Sequence, residues 1–339
     1  MKLLPAFRAL LLLCLTGLML LLACGRGEFK SKEVAYVSAP QAVLRDRLAP
    51  VYNKVATVNN GDRVEILETK KRFARVRTAH GEEGWVEMRH LVEGAVFDGF
   101  AQLSKQSAAL PAQAPAVTHT IINLHLTPDR DSEHLYQLKE GARLDVLKRA
   151  TAERAAKVPP SAGQPEAPKV VEDWWLVRDA QGRAGWALAR MVDIDAPLDV
   201  AQYSEGQRIV GCFVLNRVTD ADKQVAQYLV LLTDAKDGQP FDYTQARIFT
   251  WNLKRHRYET AYRERKLAGF FPTQVGHEQF GNQGDLPTFV LHTQDADGHF
   301  ADRKYTLNGP IVHRVLSPEE QAQHDAEPPA RPRTRRVRK

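Results

Sequence analysis

Gly61-Asp62-Arg63-Val64-Glu65-Ile66-Leu67 recurs in altered form as Gly141-Ala142-Arg143-Leu144-Asp145-Val146-Leu147. Each heptapeptide is followed by a Val-Arg pair, Val76-Arg77 or Val177-Arg178, and then by Gly84-Trp85 or Gly185-Trp186. Apolar and polar residues alternate in both copies, which is the period of a strand with one buried face. The repeat therefore predicts two copies of one small β unit.

Turn residues separate the short apolar runs in both units. Asn60-Gly61 and His80-Gly81 place glycine where a tight turn needs a positive φ. We expect the first unit at residues 34–93 and the second at 118–195. Residues 149–171 interrupt the second copy and include Pro159-Pro160, so they predict a surface loop.

The order of an apolar strand after glycine, a Val-Arg strand and a closing Gly-Trp resembles the bacterial SH3-like domain. The resemblance implies two small SH3-like barrels in tandem. It also implies a groove of aromatic and polar side chains for cell-wall peptide or glycan, or for a protein partner. Aromatic rings stack on such ligands and arginine pairs with carboxylates. The candidate groove residues are Tyr52, Arg75, Arg77, Trp85, Trp175, Arg178 and Trp186.

Two of these tryptophans have a second interpretation. Trp85 and Trp186 occur once per repeat, which core packing alone would also produce. Trp175 is different, because its counterpart in the first copy is Ala74 and the shared core does not require a large ring there.

The remainder of the chain divides by composition. Residues 94–117 are rich in Ala, Gln, Ser and Pro and predict a linker. Residues 198–316 alternate with period two over about eight runs, which predicts an antiparallel β-sandwich or barrel. Residues 317–339 predict a short helix, from the capping signal Ser317-Pro318-Glu319-Glu320, and then a basic disordered tail. The predicted fold class is therefore all-β.

The N-terminus predicts an address outside the cytoplasm. A basic start and the apolar run from Leu10 to Ala23 form a signal peptide over residues 1–23, too short for a membrane span. Leu21-Leu22-Ala23-Cys24 resembles the lipobox of bacterial lipoproteins, which implies acylation of Cys24 and anchoring in the membrane by lipid, with residues 24–33 as a tether. Gly25 weakly favours the outer membrane. An ordinary signal peptide with an incidental cysteine is the alternative.

The net charge of +6 excludes little by itself, because six basic residues after position 330 account for it. The folded part is nearly neutral, so we expect no nucleic-acid partner. Of the three cysteines, Cys212 lies in an apolar run and predicts a small buried side chain.

No motif of an enzyme stands out. The chain has no Gly-x-Ser-x-Gly elbow, no phosphate loop and no zinc spacing, and Asp295-Ala296-Asp297-Gly298-His299 is better explained as a hairpin turn than as a calcium loop. We therefore expect no catalytic residue, metal or cofactor. The prediction is a non-enzymatic, lipid-anchored protein of the cell envelope, whose tandem domains bind cell-wall peptide or an envelope protein. The alternative is a cell-wall hydrolase or its accessory factor, with the site in the third domain.

Overall fold

The computed structural model describes residues 33–154, 170–317 and 321–322. The predicted signal peptide, Cys24, nearly all of the tether, most of the insertion and most of the tail lie outside these residues. Strand makes up 59% and helix 11%, so the all-β prediction is confirmed. The strands form three antiparallel sheets of seven strands each. Within the described ranges, none of the helices combines the length and the apolar character that crossing a bilayer would need.

The first sheet belongs to the first unit. Its strands are β1 (Glu33–Val37), β2 (Gln41–Arg45), β3 (Lys54–Asn59), β4 (Arg63–Lys70), β5 (Phe73–Thr78), β6 (Glu83–Glu87) and β7 (Leu91–Glu93), with a 3-10 turn at Met88–His90. They are ordered β3-β2-β6-β5-β4-β1-β7. The small core includes Leu44, Val64 and Val76. Gly61 has a φ of 85°, as its turn was predicted to require.

The second sheet repeats this order strand for strand. Its members are β8 (Ala114–Thr118), β9 (Ile122–His125), β10 (His134–Leu138), β11 (Arg143–Glu153), β12 (Val171–Asp179), β13 (Ala184–Leu188) and β14 (Val192–Ile194), with a 3-10 turn at Ala189–Met191. The order is β10-β9-β13-β12-β11-β8-β14. The predicted loop at 149–171 is shorter than expected, because β11 continues to Glu153 and β12 already begins at Val171.

The glycine of each Gly-Trp pair has a steric role inside a strand. A Cβ on Gly84 would lie 2.8 Å from the Cβ of Leu44, and one on Gly185 would lie 2.6 Å from the Cβ of Leu124. These distances are shorter than van der Waals contact, so β2 and β9 can lie this close to β6 and β13 only where the side chain is missing. The repeated glycine thus allows close strand approach, whereas Gly61 and its counterpart Gly141 allow a turn.

The predicted linker contains a helix, α1 (Gly94–Ser107), followed by β8. Phe97, Phe100 and Leu103 recur every three residues and form an apolar stripe on the helix. The ring of Phe97 stacks on Tyr36 of the first sheet at a centroid distance of 3.8 Å, and Phe100 is fully buried against the second unit. The segment therefore packs between the two sheets. Its many small and polar residues concealed the stripe.

The third unit follows a one-turn helix, α2 (Leu198–Ala201). Its strands are β15 (Arg208–Asp220), β16 (Lys223–Thr233), β17 (Tyr243–Asn252), β18 (Arg257–Gln279), β19 (Asp285–Gln294), β20 (Phe300–Asn308) and β21 (Ile311–Val315), which pair in chain order as a meander. The unit has seven strands where the sequence predicts about eight alternating runs. A register shift near Lys266, which has a φ of 60°, leaves Arg257–Gln279 as one continuous strand.

The second and third units share one hydrophobic core. Trp175 and Val177 of the second sheet belong to the same buried cluster as Leu231 and Phe289 of the third. Gln113, which is fully buried, links the two units through its backbone and its side chain. Its carbonyl accepts the N–H of Cys212 at 3.1 Å and its Oε1 accepts the N–H of Thr273 at 2.7 Å.

A buried ion cluster reinforces this contact. Asp173 on β12 accepts hydrogen bonds from Arg149 at 2.7 Å, from the N–H of Gly238 at 2.9 Å and from Arg208 at 3.3 Å. Arg149 also donates to the carbonyls of Gln239 and Phe241, both at 3.0 Å. Arg149 was expected in the surface loop, but its side chain is only 5% exposed. It holds the loop of the third unit against the second sheet.

Candidate functional site

One outward face of the first sheet brings together four of the predicted groove residues. Arg75 on β5 lies opposite Trp85 on β6, and Arg77 lies one pleat further along. Their neighbours Val76 and Val86 point into the core, so alternation directs Arg75, Arg77 and Trp85 outward. Tyr52 lies in the loop between β2 and β3 and is 38% exposed.

One aromatic ring and one arginine that were not predicted, Phe73 and Arg45, complete this face. Arg45, at the end of β2, is paired in register with Trp85. Its guanidinium carbon lies 4.3 Å from the ring centroid of Tyr52 and 5.6 Å from that of Phe73. Both distances are within the range of cation–π contact. We call Arg45, Tyr52, Phe73, Arg75, Arg77 and Trp85 the first-unit face.

The charges of the first-unit face are partly compensated. Arg75 and Arg77 both donate to Glu83, at 2.9 Å and 2.6 Å, and the hydrogen bonds from Arg77 chiefly lower the pKa of that carboxyl. Glu87 lies 3.6 Å from Arg45 and 2.8 Å from Arg89. Each of these two glutamates is therefore shared by two arginines, so the net charge of the six side chains is positive. Such a surface suits a ligand with rings or small side chains and a carboxylate.

The equivalent face of the second unit is covered. Trp186 packs in a small apolar cluster with Leu176 and Ala184, which stand where the first unit has Arg75 and Glu83. Leu103 and Leu110, from α1 and the turn after it, cover this cluster. Trp186 therefore does not line an open groove.

Arg178 has a structural partner as well. It donates to the carbonyls of Ser107 at 3.3 Å and Ala108 at 3.2 Å, and it lies 3.1 Å from Asp145. A cation at the C-terminal end of a helix satisfies carbonyls that have no partner within the helix. Arg178 thus holds α1 in place over the second sheet, and it also lines a small cleft of about 270 Å³ together with Arg143 and Asp145.

Trp175 lies at the contact between the second and third units. It is 2% exposed, and its ring centroid is 6.4 Å from that of Phe271. The comparison with Ala74 correctly indicated that the shared core of the repeat does not need this ring. The ring instead fills the contact between the second and third sheets.

Cys212 lies in an apolar cluster with Val230, Leu232 and Phe249, as its sequence context predicts. Burial raises the pKa of the thiol to about 12. Because the thiolate is the nucleophilic form, Cys212 is chemically inert in the folded protein.

Two further clusters lie in the third unit. Asp295, Asp297 and His299 have potential ligand atoms within 4.8 Å of one another, but all three are exposed. Asp295 accepts the N–H groups of Asp297 and His299, both at 2.9 Å, which is the hydrogen bonding of the predicted turn between β19 and β20. Near α2, Glu205 pairs with Arg247 and Arg263, both at 2.8 Å, beside a cleft of about 470 Å³.

The solved structures that the chain resembles include NlpC1 and NlpC2 of Trichomonas vaginalis and an NlpC/P60 family protein of Bacillus cereus. NlpC1 is 8% identical, with 69% of this chain and 89% of that chain covered, at a TM-score of 0.18. NlpC2 is 11% identical, with 86% of this chain and 100% of that chain covered, at a TM-score of 0.17. The Bacillus cereus protein is 10% identical, with 84% of this chain and 95% of that chain covered, at a TM-score of 0.22. No curated protein matches the sequence.

These matches contradict the prediction of a non-enzymatic protein, because NlpC/P60 proteins are cell-wall hydrolases. Their TM-scores are all below 0.5, so they establish no shared fold and locate no active site in this chain. The sequence itself matches a family model in one segment. Residues 47–92 match the bacterial SH3 domain, and that segment carries every residue of the first-unit face except Arg45. The chain therefore contains a bacterial SH3 domain.

Proposed function

We propose that the protein takes part in hydrolysis of the bacterial cell wall, as a hydrolase or as the accessory factor of one. The first unit binds wall peptide or glycan, and the third unit carries the part that acts in hydrolysis. The observation that supports this proposal is the open first-unit face on the segment that matches the bacterial SH3 domain. Domains of this family commonly bind peptidoglycan.

Binding follows from the chemistry of the first-unit face. Sugar rings and small side chains of the ligand contact Tyr52, Phe73 and Trp85, which remain accessible on the sheet surface. A carboxylate of the wall peptide replaces Glu83 on Arg75 or Arg77, because these exposed pairs are weak in water. The affinity should therefore fall as the salt concentration rises.

The second unit has a different task in this proposal. It is an SH3-like domain too, which its identical strand order supports. Since α1 covers the face that corresponds to the first-unit face, the second unit does not bind the wall. It is the rigid connection that holds the third unit at a set position relative to the first.

The third unit performs its role without Cys212, whose buried thiol cannot serve as a nucleophile. The cleft beside Glu205 is also lined by Asp234, Arg265 and Lys266, so it offers carboxylates for proton transfer and cations for an anionic substrate. Zymography of the full chain on purified sacculi separates the two forms of the proposal. Clearing that is lost in Glu205→Gln identifies a hydrolase, whereas stimulation of an added hydrolase without clearing identifies an accessory factor. If the protein neither clears the sacculi nor stimulates the added hydrolase, the proposed role in hydrolysis is wrong.

The same proposal places the chain in the cell envelope, held at the membrane by acyl groups on Cys24. The lipobox-like segment before this cysteine supports it. Metabolic labelling with palmitate should mark the protein, and Cys24→Ser should release it from the membrane fraction. Labelling that is unchanged in Cys24→Ser would contradict the anchor.

Retention on purified sacculi tests wall binding by the first unit. Trp85→Ala in the full chain should reduce retention at least about tenfold, because the ring lies at the centre of the face between Arg45 and Arg75. Trp186→Ala is the matched control, since it removes the same residue of the repeat at a covered position. Equal retention of the two variants would refute binding at the first-unit face.

A further inference from the structure

A cavity of about 350 Å³ opens at one end of the third sheet, where the β17–β18 turn and the β20–β21 turn come together. Val218, Gln227, Thr250, Leu253, Lys254 and Pro310 are among its lining residues. This volume lies in the range of about 300–1,000 Å³ that is usual for small-ligand sites. The cavity is separate from the first-unit face and from the cleft beside Glu205.

A buried amide oxygen without a hydrogen-bond partner among the described residues lies in this cavity. Gln227 on β16 is 4% exposed, and its Oε1 has no hydrogen-bond partner within the described residues. Alternation along β16 places Gln227 on the same side as Leu229 and Leu231, which belong to the core. Buried amides are nearly always paired, because an unpaired one loses its hydration without compensation. Gln227 therefore needs a donor that a ligand can provide.

The β17–β18 turn places a cation and an apolar side chain at the same cavity. The Oδ1 of Asn252 accepts the N–H of Lys254 at 3.0 Å and that of Arg255 at 3.1 Å, which orders the turn. Leu253 is 51% exposed. Glu259, the acidic residue of the cavity, is already paired with Arg255 at 3.0 Å. In the portion of the chain that is described, Lys254 has no acidic side chain within 4.0 Å.

We propose that this cavity binds the free carboxyl end of a peptide with small side chains. The ammonium of Lys254 pairs with the terminal carboxylate, and Gln227 Oε1 accepts the N–H of the last peptide bond. Val218, Leu253 and Pro310 contact the terminal side chain. The three kinds of contact match the cation, the unpartnered acceptor and the apolar wall of the cavity. This ligand goes beyond the proposed function, since its binding does not depend on the first unit.

Calorimetric titration of the full chain with N-acetyl-alanyl-alanine tests the inference. The peptide should bind, and the same peptide with a C-terminal carboxamide should bind about tenfold more weakly or worse, because it lacks the charge. Lys254→Met should lower the affinity for the carboxylate peptide to that for the carboxamide. Lys148→Met, an exposed lysine of the second sheet, is the matched control and should change nothing.

Gln227→Leu supplies an independent readout. It should abolish peptide binding while leaving the melting temperature unchanged or higher, since it removes an unpaired buried amide. Peptide binding that survives both Gln227→Leu and Lys254→Met, or no binding of the carboxylate peptide at all, would overturn the inference. If Gln227→Leu does not fold, the test rests on the affinity of Lys254→Met for the carboxylate peptide, because this exposed substitution should not affect folding.

The configuration of the peptide identifies its natural source. Tighter binding of the D-alanyl form points to wall peptide, and tighter binding of the L form points to a protein terminus; both support the site. Trp85→Ala should leave peptide affinity unchanged while it reduces retention on sacculi. The two proposals can therefore fail separately.

Discussion

Arg149→Met should weaken the contact between the second unit and the third and lower the melting temperature of the protein. The side chain of Arg149 is 5% exposed, and it donates to Asp173 at 2.7 Å and to the carbonyls of Gln239 and Phe241 at 3.0 Å. Breaking a buried ion pair from one side costs about 3–5 kcal/mol. We expect the lower limit, about 3 kcal/mol, because Asp173 keeps Arg208 at 3.3 Å. At about 2–4 °C per kcal/mol for a cooperative block of this size, the melting temperature should fall by about 6–12 °C.

The loss should depend on pH. Burial raises the pKa of Asp242, which lies 3.5 Å from Arg149. A carboxyl with a raised folded-state pKa contributes its stability below the unfolded-state pKa and loses it as pH rises through the folded-state value. Removing Arg149 raises this pKa further, so the deficit should be larger at pH 7 than at about pH 4.

Thermal and urea unfolding, followed by tryptophan fluorescence, measure the effect. Arg143→Met is the matched control on the same strand, since Arg143 is exposed and should change stability by no more than about 0.5 kcal/mol. The double variant Arg149→Met/Asp173→Leu should recover part of the loss, because no buried charge then remains alone at this position. A free energy of unfolding for Arg149→Met within about 1 kcal/mol of wild type would refute the role of the ion cluster.

Three further outcomes are expected. Gly185→Ala should cost about 1–3 kcal/mol in urea unfolding, since its Cβ would lie 2.6 Å from that of Leu124, and an unchanged midpoint would speak against this close approach. Hydrogen bonds from Arg130 chiefly lower the pKa of Glu172, so the stability it contributes is present above the ordinary glutamate pKa and is lost as pH falls through the lowered value. The difference in unfolding free energy between wild type and Glu172→Gln should thus become smaller at low pH. A difference that becomes larger at low pH would contradict the pairing. In a chain whose other two cysteines are replaced, Cys212 should react with a thiol reagent at about pH 8 only after unfolding, because burial raises its pKa to about 12.

The candidate site was partly readable from the repeat. The Val-Arg and Gly-Trp motifs pointed to Arg75, Arg77 and Trp85, and alternation indicates that these side chains share one face of a sheet. Arg45 and Phe73 were missed as site residues. The contact of Arg45 with Tyr52 depends on a loop of eight residues between β2 and β3, whose course the local pattern does not specify.

A signal for the covered face of the second unit was present but was not used. Leu176 and Ala184 stand where the first unit has Arg75 and Glu83. The surface that carries a pair of charges in the first unit is therefore apolar in the second. An apolar outer face predicts a cover. The stripe of Phe97, Phe100 and Leu103 on α1 offered that cover within a segment that its composition marked as a linker.

The amino-acid sequence by itself determined the repeated β unit, its turns at Gly61 and Gly81 and the succession of antiparallel strands in the third unit. These features follow from alternation and turn chemistry, which act between neighbours along the chain. Only the tertiary structure decided which face stays open, where Trp175 and Arg149 are buried, and that Gln227 Oε1 has no hydrogen-bond partner among the described residues. The physical reason is that burial is set by what packs against a surface, and here the packing partners come from residues 60 to 100 positions away.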